Sequence, residues 1–129
     1  MKKIIYILLV IGLLFVAIEF FSHRASQDLI LAEKIGDLLK QGEERVDLAE
    51  LTSFEWDQVA VFGPYTSKEE MDATMGIRFK GDNGGIDMLD DRFLLVFAHK
   101  KHAVKTVVLS REFGSHRYVT EGNQFLIVE

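Results

Sequence analysis

Four histidines are present, and His99 and His102 stand three residues apart on either side of Lys100 and Lys101, with His116 further on. Imidazole nitrogens at close spacing are the first chemistry this chain offers, because histidine is a common ligand of zinc and copper. The pattern stops short of a metal site. No H-E-x-x-H helix supplies a ligand spacing, and two ammonium groups separate the would-be ligands, so His99-Lys100-Lys101-His102 reads as a solvated basic turn. With Lys105, that turn is the concentrated positive feature of an otherwise acidic chain. It makes His99, Lys100, Lys101 and His102 a candidate contact for an anionic surface, lipid headgroups or wall polymers, where each lysine contributes about 1 kcal/mol. Lysines at strand edges and turns are equally a solubility device.

The acidic stretch from Asp82 to Asp91 offers oxygens of the kind a hard cation prefers, clustered carboxylates and carbonyls. Asp82, Asp87, Asp90 and Asp91 lack the alternating ligands and closing glutamate of an EF-hand, so the stretch reads as a turn with an acidic rim. For hydrolysis there is no G-x-S-x-G, no S-x-x-K and no zinc helix, and the glycines form neither a phosphate loop nor a dinucleotide fingerprint. No sequence signal brings any pair of carboxylates into one pocket. The reading is therefore of no metal, no cofactor and no assigned catalytic residue, leaning away from an enzyme.

Composition narrows the classes further. The 129 residues carry 15 Lys plus Arg against 20 Asp plus Glu, a net charge of −5, which disfavours nucleic acid as a partner because phosphate binding needs a surplus of cations. Zero cysteines remove disulfides, thiolate metal sites, thiol nucleophiles and a lipidated cysteine. Residues 4–21 are apolar apart from Gly12 and Glu19 and follow Lys2 and Lys3. As a helix the run would reach about 27 Å, near the roughly 30 Å hydrocarbon core. This predicts a single-pass anchor in the cell membrane, with the N-terminus in the cytoplasm and the remainder outside. A cleaved signal peptide, giving a secreted protein, is the alternative, although neither Ala17 nor Ala25 ends a good cleavage site.

The elements that would position these residues follow from patterning. Leu31, Ile35, Leu38 and Leu39 recur at helical spacing over 26–41, with Ser26 as N-cap and Gly42 as stop. A link with a helical turn beginning near Asp47 leads to a strand over 56–62, ended by Gly63-Pro64. Thr66 with Glu69 and Ser67 with Glu70 form overlapping capping boxes for a helix over 67–75 that Gly76 terminates. A short strand over 77–80 and a turn at 81–85 follow, then strands over 92–99 and 103–110 as an antiparallel hairpin and a last strand over 123–129. The expected fold is α+β: one or two helices packed on a four- to five-stranded, mainly antiparallel sheet, preceded by a transmembrane helix. Three regions are expected: an anchor or uncleaved signal over 1–24, an amphipathic helix and link over 25–45, and a compact domain over 46–129.

The string Phe54-Glu55-Trp56-Asp57-Gln58-Val59, running into Phe62-Gly63-Pro64-Tyr65-Thr66-Ser67, resembles a family of small bacterial envelope proteins with a W-D-x-V and F-G-P-Y-T signature. Members look like this chain in layout, with a hydrophobic segment or lipoprotein signal, the signature, and paired strands rich in Val, Leu and Phe. The resemblance covers most of 46–111 and implies no activity and no catalytic residue. Structurally, Tyr65 can staple the helix that Thr66 or Ser67 caps. Functionally, Trp56, Asp57, Tyr65 and Thr66 are candidate residues of a ligand or partner surface, aromatic side chains with a polar tip being frequent anchors. The expected function is an extracytoplasmic, membrane-anchored domain that binds a protein partner in the envelope without catalysis. The alternatives are a hydrolase of wall or lipid substrates and a regulatory subunit of a membrane complex.

Overall fold

The computed structural model describes residues 1–22, 24–110, 117–121 and 124–128, with side-chain surroundings for 1–17, 24–110 and Thr120. His116 lies outside the described residues. The first element is helix α1 (Lys2–Ser22), whose side chains are exposed from Met1 through Val16.

Among the described residues no helix is long and apolar enough to cross a membrane. The expected transmembrane helix is therefore corrected, and with it the single-pass cell-membrane location and the inside-to-outside orientation drawn from Lys2 and Lys3.

The sheet that organises the domain grows from strand β4 (Arg92–His99), whose run Phe93 to Ala98 is apolar almost without break, as a strand covered on both faces must be. Strand β5 (His102–Ser110) pairs antiparallel with it from Arg92↔Ser110 to His99↔His102. Strand β3 (Gln58–Phe62) pairs antiparallel on the other side, with Gln58 opposite Ala98 and Phe62 opposite Leu94. Strand β1 (Ser26–Gln27) adds to β5 in parallel, giving the order β1-β5-β4-β3. A second sheet, in the order β2-β7-β6, joins β2 (Arg45–Asp47), β7 (Gln124–Val128) and β6 (Arg117–Glu121), all antiparallel. The chain is thus α+β, and its four-stranded sheet is antiparallel except for the two-residue parallel pairing of β1, which makes it mixed; the second sheet is an addition to the single sheet expected.

Helices cover both faces of the first sheet. Leu95, Phe97, Val107 and Leu109 meet Leu31, Ile35 and Leu39 of helix α2 (Leu29–Lys40) and Leu48 of the one-turn helix α3 (Leu48–Leu51). On the opposite face Leu94, Val96 and Ala98 meet Met71 and Met75 of helix α4 (Lys68–Met75) together with Ile77, Phe79 and Ile86. Each large apolar side chain so buried contributes roughly 1.5–3 kcal/mol.

Local signals fix the helix ends. Asp28, rather than Ser26, caps α2, its Oδ1 accepting from the Leu31 amide at 2.9 Å, because Ser26 and Gln27 are taken up by β1. Asp47 caps α3 and Ser67 caps α4, whose end is Gly76 at φ 66°. Thr66 instead donates its hydroxyl to the Gly63 carbonyl at 2.7 Å. The expected strand over 77–80 is reduced to an isolated bridge between Arg78 and His102, and Gly81 makes another with Ala25.

Candidate functional site

The chemistry gathers at one end of the four-stranded sheet, where β4 turns into β5 and β3 begins. Two residues, Lys100 and Lys101, make the turn at φ 50° and 68°. Successive positive φ values are the signature of the tight hairpin turn that asparagine and glycine usually supply, so two lysines hold it under strain. A register shift between Phe97 and Ala98, where Lys105 and Ala103 are the successive partners, leaves Val104 as the extra residue and brings His102 opposite His99.

Asp57 ties this turn to the neighbouring strand. Its amide donates to the Ala98 carbonyl at 2.8 Å, and its Oδ2 accepts from the Lys100 amide at 3.0 Å. Asp57 therefore carries a structural duty, supporting the strained turn through a charge-assisted hydrogen bond.

Beside the turn, Ala49, Thr52, Phe54, Glu55, Trp56 and His99 line an open cleft of about 610 Å³. The indole of Trp56 is fixed twice: Nε1 donates to Thr52 Oγ1 at 2.8 Å, and the ring meets Phe97 edge-on at 5.3 Å and 73°. Phe54 stands edge-on to the same Phe97 at 5.2 Å and 88°. The aromatic wall thus rests on the core, which makes it rigid before any ligand arrives.

His99 faces two carboxylates, with Nε2 3.6 Å from Glu55 Oε2 and Nδ1 3.9 Å from Asp57 Oδ2. Both distances exceed hydrogen-bond length, and among the described residues nothing hydrogen-bonds the buried Nδ1. The Glu55 side chain is 90% exposed at the rim. Thr52, the hydroxyl of the cleft lining, accepts from the indole, and among the described residues no hydrogen bond joins it to His99 or Glu55.

On the far side of α3 a second groove, about 410 Å³, is lined by Leu38, Glu43, Arg45, Asp47, Glu50 and Leu51 among others. Acidic side chains therefore flank α3 on both sides. A third groove, of about 370 Å³, opens on the β5 side of the hairpin, where Arg24, Ser26, His99, Lys100, His102 and Lys105 meet.

The residues singled out from the sequence separate into two places. Trp56, Asp57, His99, Lys100, Lys101 and His102 come together at the hairpin end. Tyr65 and Thr66 lie beyond the other end of β3, about 17 Å of strand away. Tyr65, at φ 65° and 62% exposed, donates its amide to the Ile86 carbonyl at 2.7 Å, while Thr66 is buried. One surface containing both Trp56 and Tyr65 is not formed. Phe54, Glu55 and Thr52 of the cleft and Arg24 and Ser26 of the basic groove are additions to the expected residues, whereas Lys105 belongs to the basic turn read from the sequence. The alternation Phe54-x-Trp56 was the available signal for the first group, and no local signal exists for the second.

The acidic stretch resolves into turns. Asp82 Oδ1 accepts from the Gly84 amide at 2.8 Å and Asn83 Oδ1 from the Gly85 amide at 2.9 Å. The Arg92 guanidinium, through its hydrogen bond to Asp91, holds that exposed carboxyl below its usual range. Among the described residues no three His, Asp or Glu side chains converge in a group that could hold a metal ion.

No protein-family model matches the chain, and no curated protein or solved structure is significantly similar to it.

Proposed function

We propose that this protein is a non-catalytic binding module that holds a cationic, partly apolar segment of a partner protein in the cleft beside α3. The observation that carries this reading is the Trp56 indole, buttressed by Phe97 and Thr52, standing beside the exposed carboxylate of Glu55. An aromatic face next to a carboxylate attracts ammonium and guanidinium groups, by about 0.5–2 kcal/mol for the ring alone. In the adjoining groove Glu43, Asp47 and Glu50 outnumber Arg45, and the net negative charge along α3 favours approach of a basic partner toward the cleft. The open shape of the cleft suits a side chain on a partner's surface better than a small enclosed substrate.

Isothermal titration of the full chain against lysine- and arginine-containing peptides, with charge-reversed peptides as controls, tests the proposal. Basic peptides bind, and Trp56→Ala or Glu55→Gln weakens them at least fivefold while leaving the fold intact. Equal binding of basic and acidic peptides, or basic-peptide affinity unchanged by both variants, contradicts the proposal.

A further inference from the structure

We propose that the groove on the β5 side of the hairpin is a second binding site, for a phosphate-type anion, separate from the aromatic cleft. Five side chains able to carry positive charge line its roughly 370 Å³: Arg24, His99, Lys100, His102 and Lys105. Four of them lie within 99–105, and the fold adds Arg24 and the Ser26 hydroxyl from a stretch more than seventy residues away. An acidic protein thus sets a cation from beside β1 against those of the hairpin in one concavity.

Several features fit a tetrahedral oxyanion. Lys105 Nζ donates to Ser26 Oγ at 2.9 Å, which holds the ammonium at the groove and leaves the serine hydroxyl its own proton to donate. Lys100, at φ 50°, sits in a conformation that lysine disfavours, and a residue kept in such a conformation at a binding surface is a usual place for strain to be retained. His99 belongs to both lining sets, so it stands between the basic groove and the aromatic cleft. A dianion with three or four acceptor oxygens can engage several of these donors at once, and a phosphate does so more strongly than a monovalent carboxylate. Free phosphate and the phosphate of a lipid headgroup present that same chemistry.

The test is amide-detected NMR titration of the full chain in non-ionic micelles. One arm adds inorganic phosphate, and the other uses micelles doped with a phosphatidic acid. Shifts centred on Ser26, Lys100, His102 and Lys105 are expected, in both arms for a site that takes either source or in one arm for a site restricted to that source. Lys100→Asn and Lys105→Gln each weaken binding about fivefold, the effect of one cation near an anionic surface. Asparagine suits the φ of position 100, so Lys100→Asn removes charge without disturbing the turn. Arg24→Gln, outside the hairpin, provides the same loss independently. Absence of groove shifts in both arms, or binding undiminished in all three variants, overturns the proposal.

Discussion

The sharpest consequence of the hairpin geometry is that its turn is better for binding than for stability. Lys100 and Lys101 occupy φ 50° and 68°, where a side chain with a Cβ crowds the backbone at a cost of about 1–2 kcal/mol per residue. The double variant Lys100→Asn, Lys101→Gly installs the residue pair this turn favours. Relief of about 1 kcal/mol at each position, less roughly 0.5–1 kcal/mol for the greater freedom of glycine in the unfolded chain, leaves a net gain of about 1–1.5 kcal/mol. For a domain near 100 residues that is a rise in Tm of roughly 4–8 °C. The supporting bond from the Lys100 amide to Asp57 involves the backbone and survives the change. Thermal unfolding followed by circular dichroism reads the stability, and phosphate titration of the same sample reads the loss of the Lys100 cation from the groove. Stability and anion affinity should move in opposite directions. A Tm that falls by several degrees would refute the reasoning, because it would show that the lysine side chains hold the hairpin together.

Four further outcomes follow from the packing. Asp57→Ala removes the carboxylate that accepts from Lys100 and lowers stability by about 1–2 kcal/mol in urea unfolding, whereas Asp57→Asn retains an acceptor oxygen and costs less. Gly81→Ala places a Cβ 2.2 Å from the Ala25 carbonyl oxygen at φ 115°, and a loss on the order of 3 kcal/mol or more in the same assay is expected. Ile35→Ala empties a fully buried position between α2 and the sheet and costs about 2–5 kcal/mol; a loss below 1 kcal/mol would contradict the docking of α2. The lowered Asp91 carboxyl favours the folded state above the ordinary value of 3.8 and loses that contribution as pH falls through its folded value, yet it is fully exposed. Asp91→Asn should therefore leave Tm at pH 7 unchanged within error.

Elements whose instructions are local were legible in the sequence. Helix α4 has its cap, first-turn acids and terminating glycine within ten residues, and the β4–β5 hairpin has two strong strand runs around a short spacer. Strands β1 and β2, of two and three residues, carry no periodicity, and they exist because β5 and β7 offer them partners far along the chain. That remote pairing displaced the start of α2 from Ser26 to Asp28. The candidate site divides in the same way. The HKKH turn was visible as a charge feature, but its proximity to Trp56 and Asp57 depends on Gln58 lying opposite Ala98, a register that neither segment encodes alone. Tyr65 and Thr66 were adjacent to the signature in sequence and are separated from Trp56 in space by β3 itself. The apolar N-terminal run was readable as a helix, whereas among the described residues no helix is long and apolar enough to cross a membrane.

Trp56 is the chain's single tryptophan, and it forms the wall of the cleft proposed to bind the partner. Its fluorescence is therefore the most direct measurement of that role. Titrating the full chain with a lysine-rich peptide should change Trp56 emission saturably. Glu55→Gln should shift the midpoint to at least fivefold higher peptide concentration, and a glutamate-rich peptide of equal length should produce no change. Emission that is indifferent to the basic peptide, or that responds equally to both peptides, would contradict the account.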